Sequence, residues 1–159
     1  MSLCCVFCRG GRDSRAPRAN SAGGVVVVVL RFADLLFIRC KMGHPVLKEL
    51  QTDDLQYDTR SAFTLSLNHR DTFTGITDRD RALTTRRFAE LYSELSESDN
   101  ALEMLGNEFR TPGHIPVCRE SRGGLSVRQG HTELAVAIAR LADLLPCTIG
   151  AEMLEPEGD

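Results

Sequence analysis

The chain has 159 residues, 42% of them apolar and 26% charged, with 19 basic side chains against 22 acidic ones and a net charge of −3. That length suits a single domain able to bury roughly 68–70% of its unfolded surface, and the composition excludes a collagen-like repeat, a coiled-coil rod and a disordered chain. Mild acidity gives no reason to expect nucleic acid as a partner, and no apolar run is longer than Val25–Leu30, far short of the roughly 20 residues of a membrane-spanning helix.

Residues 1–21 read as an atypical, disordered leader. Arg9, Arg12, Arg15 and Arg18 face only Asp13 there, and they follow the short Leu3–Phe7 apolar patch, the reverse of the order in a secretory signal. Cys5 and Cys8 form a C-x-x-C pair, which is either half of a zinc site or a pair of solvated thiols, since a structural zinc needs four ligands. Cys40, Cys118 and Cys147 lie in apolar surroundings, where a thiol serves as a small core residue. A reducing, cytoplasmic setting without disulfides is expected.

The domain is expected over residues 22–159. Val25–Leu30 is β-branched and follows Gly23 and Gly24, which suits a strand buried on both faces. Gly43 and Pro45 break Leu35–Leu50. Phe63, Leu65 and Leu67 alternate with Thr64, Ser66 and Asn68, the period of a strand covered on one face. Thr77 and Asp80 have capping-box spacing, and Phe88, Leu91, Tyr92 and Leu95 mark the stripe of an amphipathic helix. Ser96–Asn107 reads as a polar loop, and Ile115–Arg119 as a strand after a Pro112–Gly113 turn. Leu134, Ile138, Leu141 and Leu145 mark a second helix, ended by Pro146, before a strand over Thr148–Met153. This irregular mixture predicts an α+β fold, a mixed sheet with packed helices.

Three polar clusters call for a chemical explanation. Arg128–Gln129–Gly130–His131–Thr132–Glu133 lies where the second helix begins. Free N–H groups there attract anions, Arg128 could grip a phosphate, Gly130 would let a ligand approach the backbone, and His131 could donate a proton or bind a metal. The alternative is that Thr132 or a polar neighbour merely caps the helix. The second cluster, Asn68 to Arg81, is a hydroxyl-rich loop that suits either a polyhydroxylated ligand or ordinary turn and cap chemistry. The third, Arg110–Thr111–Pro112–Gly113–His114, presents an imidazole that either moves protons or is simply exposed. Glu152 stands between Ala151 and Met153. Burial there would raise its pKa for acid–base work, whereas on an edge strand it would face water.

The phrases TRSAFTLSLNHRDTFTGITDRDRALT, FRTPGHIPVCR and RQGHTELAVAIARLADL, with the final AEM, closely resemble the 3,4-dihydroxy-2-butanone 4-phosphate synthase family, most of all its archaeal branch. The resemblance covers residues 22–159 and is dense from Asp58 onward. It implies a lyase of riboflavin biosynthesis that converts ribulose 5-phosphate into formate and a four-carbon ketone phosphate, with magnesium or manganese as cofactor. By the same resemblance Arg128, Gln129, Gly130, His131 and Thr132 would bind the sugar phosphate, and His131 would be a metal ligand. Thr74 and Asp80 would line the sugar site. His114 and Glu152 match the family's essential catalytic positions, Glu152 also touching substrate. Members are homodimers with active sites at the subunit interface.

The departures are equally specific. The family opens with an Arg-Glu-Gly-Glu-Thr-Asp motif that supplies a metal-binding glutamate, whereas Asp13–Ser14–Arg15 here leads into Ala16–Pro17–Arg18, with no glutamate before Glu49. The sequence therefore reads as a family domain shortened at both ends, with the Val25–Val29 run expected at an exposed sheet edge. A catalytically inactive member, which only binds sugar phosphate or pairs with an intact subunit, is the alternative.

Overall fold

The alternation of Phe63, Leu65 and Leu67 with Thr64, Ser66 and Asn68 does build a strand, β3 (Phe63–His69). The computed structural model describes residues 2–7, 26–30, 62–95 and 100–153, with the side chains of 2–7, 26–30, 95 and 151–153 outside the description. Earlier in the chain lie β1 (Ser2–Phe7) and β2 (Val26–Leu30). After β3 come α1 (Asp78–Leu95), α2 (Ala101–Glu108) and β4 (Phe109–Arg119). A short 3-10 turn (Gly124–Ser126), α3 (His131–Leu141) and β5 (Cys147–Met153) follow. Leu35–Leu50 and the C-x-x-C pair lie outside the described residues, apart from the backbone of Cys5.

The described strands form one mixed sheet in the order β1-β5-β2-β4-β3. The pair β2–β4 is parallel and the other three pairs are antiparallel. This is the α+β arrangement expected. Two placements differ from expectation. Ser2–Phe7, read as part of a structureless leader, pairs along β5 from Ser2–Met153 to Phe7–Thr148; the backbone hydrogen bonds of a ladder do not depend on a side-chain period. Val26–Leu30, expected at an exposed edge, is interior, with β4 on one side and β5 on the other.

Two helices cover opposite faces. Phe88, Leu91 and Tyr92 of α1 are buried with Leu67, Ile115 and Val117 of the sheet. Val136 of α3 packs with Cys118. Because successive strand residues point to opposite faces, adjacent Val117 and Cys118 separate the two layers. The start of α1 follows its sequence signal, with Thr77 Oγ1 accepting from the Asp80 N–H at 3.2 Å.

The face of α3 does not follow expectation. Leu134, Ile138 and Leu141 are exposed, Leu141 by 88%, while Ala135, Val136 and Ala139 are buried. Small side chains let the helix backbone approach the strands closely, so hydropathy alone names the wrong stripe. Pro146 does not end the helix either. Asp143 adopts a left-handed φ of 54°, its N–H bonds to Arg140 O, and the Leu144 N–H reaches Ala139 O at 2.9 Å. That pairing is a Schellman motif, here with aspartate where glycine is usual. The segment read as a loop over Ser96–Asn107 contains most of α2. Only Leu105 of that short helix is buried, with Met104 packed beside it, too thin a stripe to register as a period.

Gly113 and Gly106 make opposite tests of this packing. A Cβ at Gly113 would overlap the backbone of Leu67 and Asn68, whereas one at Gly106 would meet nothing. In urea denaturation, Gly113→Ala should destabilise the fold by about 1–3 kcal/mol or more, the range for overpacking. Gly106→Ala, inside α2, should stabilise it by about 0.4–1 kcal/mol.

Candidate functional site

The third cluster lies inside β4, not in a turn ahead of it. Leu67 faces Ile115, but the next residue, Asn68, faces Arg110, so residues 111–114 are looped out of the ladder. Pro112 has no N–H to offer the neighbouring strand, so a ladder there would lack that hydrogen bond. Side chains of β3 replace the missing backbone partners. Thr111 Oγ1 donates to Ser66 O, the Gly113 N–H donates to Ser66 Oγ at 3.1 Å, and the His114 N–H donates to Asn68 Oδ1 at 2.8 Å. The Asn68 amide nitrogen also lies 3.1 Å from His114 Nδ1. Asn68 is buried and His114 is exposed, so a fixed amide holds a surface ring.

The hydroxyl-rich loop joins this group from the other side. Asp80 is buried and its Oδ2 accepts from the backbone N–H groups of Thr74 and Gly75, the latter at 2.8 Å, and from the Thr74 hydroxyl. The Gly75 N–H bond, with those of Thr74 and Phe73, holds its carboxyl below the usual aspartate value of 3.8 against the opposing pull of burial. Gly75 has a φ of +81°, and a Cβ there would overlap the Asn68 carboxamide. Arg110 Nη2 ties the loop to β4 by donating to Thr72 O and Oγ1. Thr74, Asp80 and His114 thus belong to one network, running through Gly75 and Asn68. Within it, Asp80 serves as a clasp on the loop backbone.

A buried histidine follows Asn68 in β3. His69 Nδ1 accepts from the Asp71 N–H, and its Nε2 lies 3.6 Å from Glu108, which Arg87 also engages at 2.8 Å. The His69 ring meets Phe109 edge-on.

The expected residues Arg128 to Thr132 lie where α3 begins. The N-cap is Gly130, which has no side chain with which to cap, and its φ and ψ are extended. His131 opens the helix, with Thr132 and Glu133 in its first turn. Glu133 is 0% exposed. One carboxylate oxygen accepts from the Ser121 N–H at 3.0 Å and the other from Arg128 Nη1 at 3.1 Å. A Cβ on Gly130 would press on both that carboxylate and the Arg128 guanidinium. The Arg128–Glu133 ion pair therefore packs directly against the Cα of Gly130. Gln129 is exposed beside it. Glu152 lies in β5, with its backbone opposite Leu3, and its side chain lies outside the description.

Among the described residues, no three His, Cys, Asp or Glu side chains gather where they could hold a metal ion. Magnesium prefers oxygen ligands in octahedral array, so His131 and its described neighbours do not by themselves make its site. Asn68 and Glu133 are the residues that sequence reasoning left without roles. The signal for Asn68 was its place on the polar side of a strand alternation, ahead of a segment containing proline. The signal for Glu133 was a carboxylate at the third helical position after a glycine N-cap.

Known proteins similar to this chain carry one family description. The family profile described as 3,4-dihydroxy-2-butanone 4-phosphate synthase matches residues 19–159. The chain is 50% identical to the protein of that name from Methanosarcina acetivorans, over 65% of this chain and 41% of the relative. It is 38% identical to that of Archaeoglobus fulgidus, over 92% of this chain and 66% of the relative. It therefore spans from about two fifths to two thirds of the length of these relatives. A solved 3,4-dihydroxy-2-butanone 4-phosphate synthase in complex with two magnesium ions matches with a TM-score of 0.55 and 28% identity, over 87% of this chain and 58% of that one. The Candida albicans synthase matches with a TM-score of 0.55 and 30% identity, over 86% of this chain and 57% of that one.

The Asp80 clasp makes a pH prediction. A carboxyl whose folded pKa is depressed stabilises the fold above its unfolded value and loses that contribution as pH falls through the folded value. The loss should begin near the ordinary value of 3.8 and continue below it. Asp80→Asn keeps the acceptor oxygen but not the charge. Urea denaturation between about pH 5 and pH 2.5, spanning the ordinary aspartate range, should show the variant less stable at the upper end and with a shallower acid decline than the parent.

Proposed function

The chain belongs to the 3,4-dihydroxy-2-butanone 4-phosphate synthase family, and from that premise we propose that it is a lyase of riboflavin biosynthesis. It would convert D-ribulose 5-phosphate into L-3,4-dihydroxy-2-butanone 4-phosphate and formate. The observation that carries this reading is the network joining the hydroxyl-rich loop to His114 through Gly75 and Asn68. It sets an imidazole beside a loop suited to a polyhydroxylated substrate, on two of the segments that resemble the family most closely.

In this reading the start of α3 takes the phosphate. Its first N–H groups carry the positive end of the helix dipole and have no N-cap side chain, and a phosphate gains from both features. Arg128 adds charge from a position fixed by Glu133, and Gln129, Gly130, His131 and Thr132 complete the grip. Thr74 and Asp80 shape the sugar end of the site, Asp80 through its hold on the loop backbone. His114 and Glu152 exchange protons with the substrate as it rearranges and loses one carbon, the general acid–base work that positioned imidazole and carboxylate side chains perform. A divalent cation, magnesium or manganese, supplies Lewis-acid polarisation of sugar oxygens when bound. The described residues do not hold such an ion alone. A cytoplasmic homodimer is part of the same reading. The exposed Leu134, Ile138 and Leu141 of α3 support association with a second copy, because contiguous exposed apolar surface marks an interaction site.

The test is formate release from ribulose 5-phosphate with magnesium, on the full chain shown to melt cooperatively. Formate above the no-enzyme control is expected, falling about 10²- to 10⁴-fold in Glu152→Gln, the usual contribution of one acid–base group. A folded sample that binds ribulose 5-phosphate calorimetrically but releases no formate would replace this reading with that of a sugar-phosphate-binding, catalytically inactive member.

A further inference from the structure

We propose that Asn68 is the positioning residue that fixes the tautomer of His114, placing the proton of the neutral ring on Nε2. The assignment follows from donor and acceptor chemistry alone. A backbone N–H can only donate, so the atom 2.8 Å from the His114 nitrogen is the amide oxygen of Asn68. The other terminal atom of that side chain is then its NH2 group, which also can only donate. It lies 3.1 Å from His114 Nδ1. Nδ1 must therefore offer its lone pair, and the single proton of a neutral imidazole is left for Nε2.

The amide is held in the orientation this requires. Asn68 is 5% exposed, and Gly75 lies so close that a Cβ would overlap its carboxamide. Gly75 is held in turn by the Asp80 carboxylate at 2.8 Å. Flipping the Asn68 amide would set its NH2 group against the His114 N–H and its oxygen against the Nδ1 lone pair, two repulsive contacts in place of two hydrogen bonds. The buried strand residue thus determines which nitrogen of the exposed ring is the donor. For proton transfer, the neutral ring meets substrate at Nε2 as a hydrogen-bond donor or acid. This last consequence rests on the function proposed above; the tautomer does not.

The experiment uses the 15N-labelled full chain and long-range 1H–15N spectra of the histidine rings, with the His114 signals identified by their loss in His114→Gln. The unmodified chain should show the Nε2–H tautomer for neutral His114. Asn68→Asp has nearly the same shape and still accepts the His114 N–H, but its second oxygen accepts where the amide donated, so the ring proton should move to Nδ1. In the formate assay kcat should fall by about 10- to 100-fold, within or below the range for one acid–base group, while KM for ribulose 5-phosphate changes little because the phosphate is held at α3. An Nδ1–H tautomer in the unmodified chain overturns the proposal without recourse to any variant. So does an unchanged tautomer in Asn68→Asp. A tautomer that switches with no loss of kcat overturns the role given to the ring proton. If the tautomer switches but even the unmodified chain releases no formate, Asn68 keeps its assignment and the proposed function fails.

Discussion

Four residues of β4 do not pair with β3, and the backbone groups they draw away from the ladder find other partners where they lie against the sheet. Pro112 has no N–H to contribute there, and Ser66 and Asn68 make the interruption tolerable by accepting from Thr111, Gly113 and His114. The close approach of Gly113 to the backbone of Leu67 and Asn68 shows how tightly the loop-out is drawn against the sheet. Much of the candidate site is a consequence of this constraint. His114 stands at the surface because the segment that carries it has left the ladder, and it has a defined orientation because the residue that repairs the ladder also reaches its ring.

Two buried carboxylates stabilise the two ends of the site by different means. Asp80 gathers backbone N–H groups of the loop before its own helix, so its charge organises main chain. Glu133, also in the first turn of a helix, takes one backbone N–H and one guanidinium. A fully buried carboxylate is costly unless it is paired and hydrogen-bonded, and Arg128 and Ser121 together meet that need. A second pair, Arg140 with buried Glu120, ties the other end of α3 to the segment after β4. The helix that would receive a phosphate is in this way anchored at both ends by arginine–glutamate contacts, leaving its exposed leucines to face outward.

The sequence was legible where one kind of signal acted alone. The Thr77 cap and the Phe88–Leu91–Tyr92 stripe each correspond to a feature of the structure, because one local demand was dominant there; β3 forms where its alternation predicts, but its burial runs along the strand, with Phe63 exposed and Leu67, Asn68 and His69 all buried. Reading failed where two demands competed. On α3 the larger side chains have the stronger hydropathy, but close packing on the sheet favours Ala135, Val136 and Ala139. At its end, Asp143 stops the helix by backbone conformation before Pro146 can. In β4, Pro112–Gly113 carries turn chemistry yet belongs to a strand whose partner supplies side-chain hydrogen bonds. The expected site residues Thr74, Asp80 and His114 do meet in space, through Gly75 and Asn68. What could not be read was the direction of the bonds between them, since donor and acceptor assignments depend on distances that spacing does not carry.

The interior position of β2 has a consequence for how the chain reaches this arrangement. Val26–Leu30 is made early, but both of its neighbours, β4 and β5, follow much later. During synthesis this apolar, β-branched segment waits with both edges unpaired until the C-terminal strands emerge, and contacts between such distant parts of a chain form slowly. An exposed segment of that composition is prone to join others like it. The strand that unites the two halves of the sheet is therefore also one that stays without either of its neighbours until β4 is made.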